Sequence, residues 1–259
     1  MHPTPWLQRQ SASQAPRLRL YCFPYAGGHA GAYAGWQGKL PPEVEVCAAQ
    51  LPGRAARFRE AGFKALPPLV DALARELPLD DELPFAFFGH SMGGLIAFEL
   101  TRLLRAQGRP QPLRLIVSGC DAPQHRQPPR MLHRMDDDGF IDALRDYNGT
   151  PAEILAHREM MELLLPTLRT DFELVETYRY QPAPPLSLPI TVLAGRGDRQ
   201  RLPEQTEGWQ RETTSPTRVH WFDGDHFFIA SARDAVLAHL NNELAETLSS
   251  PAAAMPDLA

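Results

Sequence analysis

Six short apolar runs, each bounded by turn residues and separated by other structure, constrain this chain more than any other feature. They are LRLYCF (18–23), VEVCAAQ (44–50), FAFFGH (85–90), LRLIVSG (113–119), ITVLAG (190–195) and TRVHWF (217–222). Near-continuous apolar character over so few residues fits strands buried on both faces of a parallel sheet. Helical spacing fills the intervals at Leu69 to Leu77, Met92 to Gln107 and Ala232 to Leu248, with Gly108 and Pro110 as the stop of the second. Strands alternating with helices predict a mostly parallel, doubly wound α/β sheet.

The alternation breaks once. From about Asp121 to Tyr180 there is no strand signal, and FIDALRDY, PAEILAHREMMELLL and PTLRTDFELVETYRY all carry helical spacing. A helical block inserted between two sheet strands reads as a lid. The expected organisation is therefore one domain over 17–248 with a lid insertion at about 121–180. A polar, proline-punctuated arm over 1–16 and a frayed tail over 249–259 flank it.

The glycine-rich turn at Gly89-His90-Ser91-Met92-Gly93-Gly94 lies directly after the run FAFF and before LIAFELTRLL. This is G-x-S-x-G placed between strand and helix, where backbones crowd and only small neighbours fit around an exposed serine. Ser91 is the candidate nucleophile. It would project at a helix N-terminus, where free N–H groups and the macrodipole favour developing negative charge.

A serine hydroxyl needs a base. In this chain order the acid and the histidine follow the serine on later loops. His226, in Phe222-Asp223-Gly224-Asp225-His226-Phe227-Phe228, sits just after the last strand-like run and is the candidate base. Asp198, in Gly195-Arg196-Gly197-Asp198, is the candidate orienting acid, and Asp121, one strand earlier, is its rival. Asp223 and Asp225 are too close to His226 in sequence to orient its ring. An oxyanion hole needs two backbone donors. The Met92 N–H is one, and Phe23-Pro24-Tyr25-Ala26-Gly27-Gly28 supplies the other at Ala26, with Tyr25 as the fallback.

Together CFPYAGG (22–28), QLPGR (50–54), FFGHSMGG (87–94), LPTLRTDFELVETY (165–178), GRGD (195–198) and GDHFF (224–228) resemble the type II thioesterases that accompany nonribosomal peptide and polyketide synthases. The resemblance implies an α/β-hydrolase fold and a stand-alone enzyme. Such an enzyme hydrolyses acyl or aminoacyl thioesters from the phosphopantetheine arm of carrier domains and so clears mis-primed or stalled groups. It implies Ser91, Asp198 and His226 as the triad and Ala26 and Met92 as the hole. Two positions depart from the family pattern. Arg199 follows the acid where proline is common, and Ala55-Ala56 follow PGR where an acidic residue is common.

No metal or cofactor is expected, since the chemistry needs only these side chains. Arginines 54, 57, 59, 126, 130 and 134 read either as solvated faces or as a surface for an acidic carrier domain or the pantetheine phosphate. A net charge of −5 gives no global basic surface, which sets nucleic acid aside as a partner. Cys22, Cys47 and Cys120 belong to no CxxC pair and read as buried free thiols. With no secretory apolar segment at the N-terminus and no run near the roughly 18 apolar residues of a membrane span, a cytoplasmic monomer is expected. Two other readings compete. One is a small-molecule carboxylesterase or medium-chain acyl thioesterase of the same fold, and the other is a non-catalytic binding scaffold.

Overall fold

A strand that is apolar on both sides must be covered on both sides, and the computed structural model places all six apolar runs in one sheet with helices above and below it. The structure describes residues 4–250 apart from 82, 127–128, 148–151 and 199–202. The expected tail therefore lies outside the described residues from 251 onward, and so does Arg199.

The strands are β1 (Leu7–Gln10), β2 (Leu18–Phe23), β3 (Val44–Ala49), β4 (Phe85–His90), β5 (Leu115–Ser118), β6 (Ile190–Gly195) and β7 (Thr217–Phe222), in the order β1-β3-β2-β4-β5-β6-β7. Every pairing from β3 to β7 is parallel, and β1 pairs β3 antiparallel. The helices are α1 (Leu66–Glu76), α2 (Met92–Ala106), α3 (Asp137–Tyr147), α4 (Ala152–Leu155), α5 (Arg158–Thr177), α6 (Pro203–Glu207), α7 (Phe228–Ser231) and α8 (Arg233–Ser249). Among the described residues no helix is long and apolar enough to cross a membrane.

Side chains alternate between the faces of each strand. Tyr21, Phe23, Phe85 and Phe87 enter the core shared with α1 and α2. Leu18, Leu20, Cys22, Ala86 and Phe88 enter the opposite core, shared with α8 and with Tyr33 and Trp36. Burying each such aromatic or leucine side chain contributes about 1.5–3 kcal/mol. The three cysteines are buried and form no disulfide among the described residues, as expected.

Two of the differences from the sequence reading have a plain physical cause. Helix α1 starts at Leu66, three residues early, because Pro67 and Pro68 fit a first turn whose N–H groups need no helical acceptor. The stretch expected as a loose arm contains β1. Its ladder runs from Leu7 opposite Ala49 to Gln10 opposite Val46, and the adjoining Trp6 is buried beneath the Arg57 guanidinium, 4.0 Å from the ring centroid. The sheet edge at β3 supplies backbone partners that a local reading of polar LQRQ does not contain.

The helical insertion has a core of its own. Leu132, Phe140, Leu144, Leu155, Met161, Leu165, Leu168 and Phe172 pack together, while Leu174, nearer the end of α5, joins the core under α2. Helix α5 thus both packs on the body and carries a cap.

Candidate active site

The carboxyl ends of the parallel strands line up, with Phe23 opposite Gly89, His90 opposite Ser118 and Gly195 opposite Phe222. The chain leaves β2 toward the face carrying Tyr33 and Trp36 and leaves β4 toward the face carrying α2. Neighbouring strands that feed opposite faces open a crevice at their carboxyl ends, where ligands bind in such sheets.

Ser91 stands at that crevice with φ 54° and ψ −115°, one of three non-glycine residues at positive φ among the described residues. Its N–H donates to the Ser118 carbonyl at 2.8 Å, which ties the turn to β5. Such a conformation costs about 1–3 kcal/mol and persists only when the surroundings enforce it. Those surroundings explain the glycines. A Cβ on Gly89 would lie 2.0 Å from the Gly93 carbonyl oxygen, and one on Gly93 would lie 2.0 Å from that of Phe23. Met92 is the first residue of α2, so its N–H has no acceptor within the helix.

The loops after β6 and β7 are stitched together by backbone. Arg196 N–H donates to the Phe222 carbonyl and Gly197 N–H to the Gly224 carbonyl, each at 2.8 Å. A Cβ on Gly195 would come within 2.4 Å of the Asp225 carbonyl oxygen. This interlock brings Asp198 Oδ2 within 2.8 Å of His226 Nδ1, with both residues buried. Of the rival acids, Asp225 accepts from the Phe227 N–H at 2.8 Å, Asp223 is exposed, and Asp121 lies in the turn after β5. The imidazole of His226 lies 5.2 Å from the His90 ring, beside Ser91 in sequence, and 6.0 Å from the Tyr147 ring of the cap.

Ala26, on the loop after β2, packs against both the core under α2 and the core of the cap. The tie between loop and cap is a buried ion pair absent from the sequence expectations. Asp171 of α5 takes both Arg54 nitrogens, at 2.6 and 2.7 Å, and accepts the Gly27 N–H at 2.7 Å. Arg54 also donates to the Gly28 carbonyl at 3.1 Å, and Thr167 Oγ1 donates to the Gly53 carbonyl at 2.6 Å. Three stretches of the resemblance, CFPYAGG, QLPGR and LPTLRTDFELVETY, therefore meet at one point. The signal was present in the sequence: Asp171 falls on the stripe of Leu164, Leu168 and Val175, an acid where helical spacing asks for an apolar residue.

The partner-facing reading of the arginines is corrected at two positions. Arg54 is committed to Asp171, and Arg57 is buried against Glu60, Trp6 and the Gln50 carbonyl. Arg59, Arg130 and Arg134 are exposed.

A carboxylate on Nδ1 of a buried imidazole fixes the tautomer and stabilises imidazolium, which suits the ring to accept a proton at Nε2. A serine on a strained turn at a helix N-terminus is suited to attack on a carbonyl.

A family model described as a thioesterase domain matches residues 18–244. The gramicidin S biosynthesis protein GrsT of Aneurinibacillus migulanus is 39% identical over 239 residues, 92% of this chain and 93% of that protein. The medium-chain S-acyl fatty acid synthase thioesterase of Rattus norvegicus is 32% identical over 217 residues, 82% of this chain and 81% of that protein. Among solved structures, the type II thioesterase BorB from the borrelidin biosynthetic cluster aligns with TM-score 0.85 at 33% identity, covering 96% of this chain and 99% of that chain.

Proposed function

Because the chain belongs to the thioesterase domain family and has its α/β-hydrolase fold, we propose that it clears acyl and aminoacyl groups from the phosphopantetheine arm of carrier domains. The carrier domains would be those of a nonribosomal peptide or polyketide synthase. The observation that carries the mechanism is the buried Asp198–His226 hydrogen bond at the carboxyl edge that also holds the Ser91 turn. His226 takes the Ser91 proton as Oγ attacks the thioester carbonyl. The oxyanion is held by the amides of Met92 and Ala26. The pantetheine thiolate leaves with the proton from His226, giving an acyl-serine. Water deprotonated by His226 then attacks that ester and releases the free acid, returning the proton to Ser91. No step calls on a metal or cofactor.

Mass spectrometry of acyl loss from a panel of loaded carrier domains tests this reading. Ser91→Ala is expected to lower turnover by at least about 10⁴-fold. Near-wild-type hydrolysis by that variant rejects the mechanism, and failure of Ser91 to react with a fluorophosphonate probe favours the scaffold reading. A second reading, hydrolysis of medium-chain fatty acyl thioesters, is favoured by the likeness to the rat enzyme. A higher kcat/KM on a medium-chain fatty acyl carrier protein than on synthase carriers would select it.

A further inference from the structure

Two histidines and a glutamate meet where β7 crosses α8, outside the site described above. His220 stands on β7, and His239 and Glu243, four residues apart, share one side of α8. The Nε2 atoms of His220 and His239 lie 4.0 and 3.8 Å from Glu243 Oε1, and the two ring centroids are 3.8 Å apart. One ligand atom from each residue falls within 4.8 Å of the others. Both Nε2 atoms are shielded from solvent and have no hydrogen-bond partner among the described residues, a condition that calls for an explanation in a native fold.

The carboxylate is already oriented. Arg114 at 2.6 Å and the Thr191 hydroxyl at 2.9 Å hold Oε2, which turns Oε1 toward the imidazoles. Outer partners that fix a ligand in this way accompany built metal sites. Arg218 reaches Oε1 at 3.2 Å, but it is half exposed and also bonds Glu246 at 2.7 Å, so it has another acceptor when a cation arrives.

We propose that His220, His239 and Glu243 form a zinc-binding site that fastens β7 to α8. Two imidazoles and one carboxylate suit Zn²⁺ with water in the fourth position, and the nitrogen donors disfavour Mg²⁺ and Ca²⁺. With bonds of about 2.0–2.2 Å in a tetrahedral shell, ligand atoms stand roughly 3.3 Å apart. The observed spacing, with both Nε2 atoms within 4.0 Å of Glu243 Oε1, is wider than that by less than 1 Å on each of these two edges. The site does not depend on the thioesterase reading, because none of its three residues enters that mechanism.

The test is ZnCl₂ titration of the tag-free chain by calorimetry and by thermal unfolding, with MgCl₂ as the comparison. The expected result is zinc bound at micromolar Kd or tighter, with Tm rising by about 5–10 °C at a hundredfold excess over Kd and unmoved by MgCl₂. His239→Gln and His220→Gln are each expected to weaken that binding at least tenfold and cancel the Tm rise. Having both variants keeps the test open if one fails to fold. Zinc affinity in the variants equal to wild type assigns the metal to another place, such as His226, and overturns the proposal. So does wild-type binding no tighter than millimolar, or a rise of the same size with MgCl₂.

Discussion

At the scale of single residues, the candidate site is held open by absences. Gly93 can be nothing larger, since its Cβ would meet the Phe23 carbonyl oxygen at 2.0 Å. Gly93→Ala is expected to yield no soluble native protein or to lose more than about 4 kcal/mol by urea unfolding. Asp198 bonds the ring it is proposed to orient. Asp198→Asn keeps the shape but favours the wrong imidazole tautomer, so kcat should fall by about 10³–10⁴-fold with KM little changed. If kcat holds and Asp121→Asn silences the enzyme instead, the acid is misassigned. That Ser91, Asp198 and His226 sit on turns at the carboxyl edge of the sheet was legible, because each follows an apolar strand run. The pairing of Asp171 with Arg54 was not, although Asp171 stands out as an acid on an apolar stripe. Each is one half of a pair 117 residues apart, and neither half names the other.

At the scale of elements, six strands could be read to within two residues because their burial is written into near-continuous apolar runs. β1 could not, since an edge strand with exposed Gln8 and Arg9 owes its existence to the ladder offered by β3. The clasp between α5 and the loop after β2 belongs to this scale too. Asp171→Ala leaves the Arg54 guanidinium buried without its counter-charge, a change worth about 3–5 kcal/mol. It is expected to cost that much by urea unfolding and to lower kcat as the Gly27 N–H loses its acceptor. Arg54→Met combined with Asp171→Leu should lose less than the two single changes summed, because no stranded charge remains. Strict additivity would show that the pair is not coupled.

For the whole molecule, a mostly parallel sheet covered on both faces followed from the sequence, while its strand order and the meeting of β7 with α8 did not. That meeting shapes acid stability. His220 and His239 hold their pKa values below 6.5 in the fold, chiefly through burial, with Arg218 and Arg114 adding to it and Glu243 and Glu246 opposing. Between those lowered values and 6.5 the unfolded chain binds more protons, so stability is full above 6.5 and declines as pH falls below it. Urea midpoints measured from pH 7.5 to 5 should fall with pH, and His220→Gln with His239→Gln should flatten the slope. Glu243, whose own pKa is lowered by Arg114, Thr191 and Arg218 against its burial, adds a further loss below about 4.5. The Asp171 clasp has a consequence of another kind. An acyl chain bulky enough to lever α5 outward would carry Asp171 away and slacken the Gly27 turn that follows Ala26, whose amide is proposed to hold the oxyanion. Under the proposed mechanism, cargo that fits beneath the shut cap would be cleaved and cargo that props it ajar would be spared, so the cap would work as a ruler.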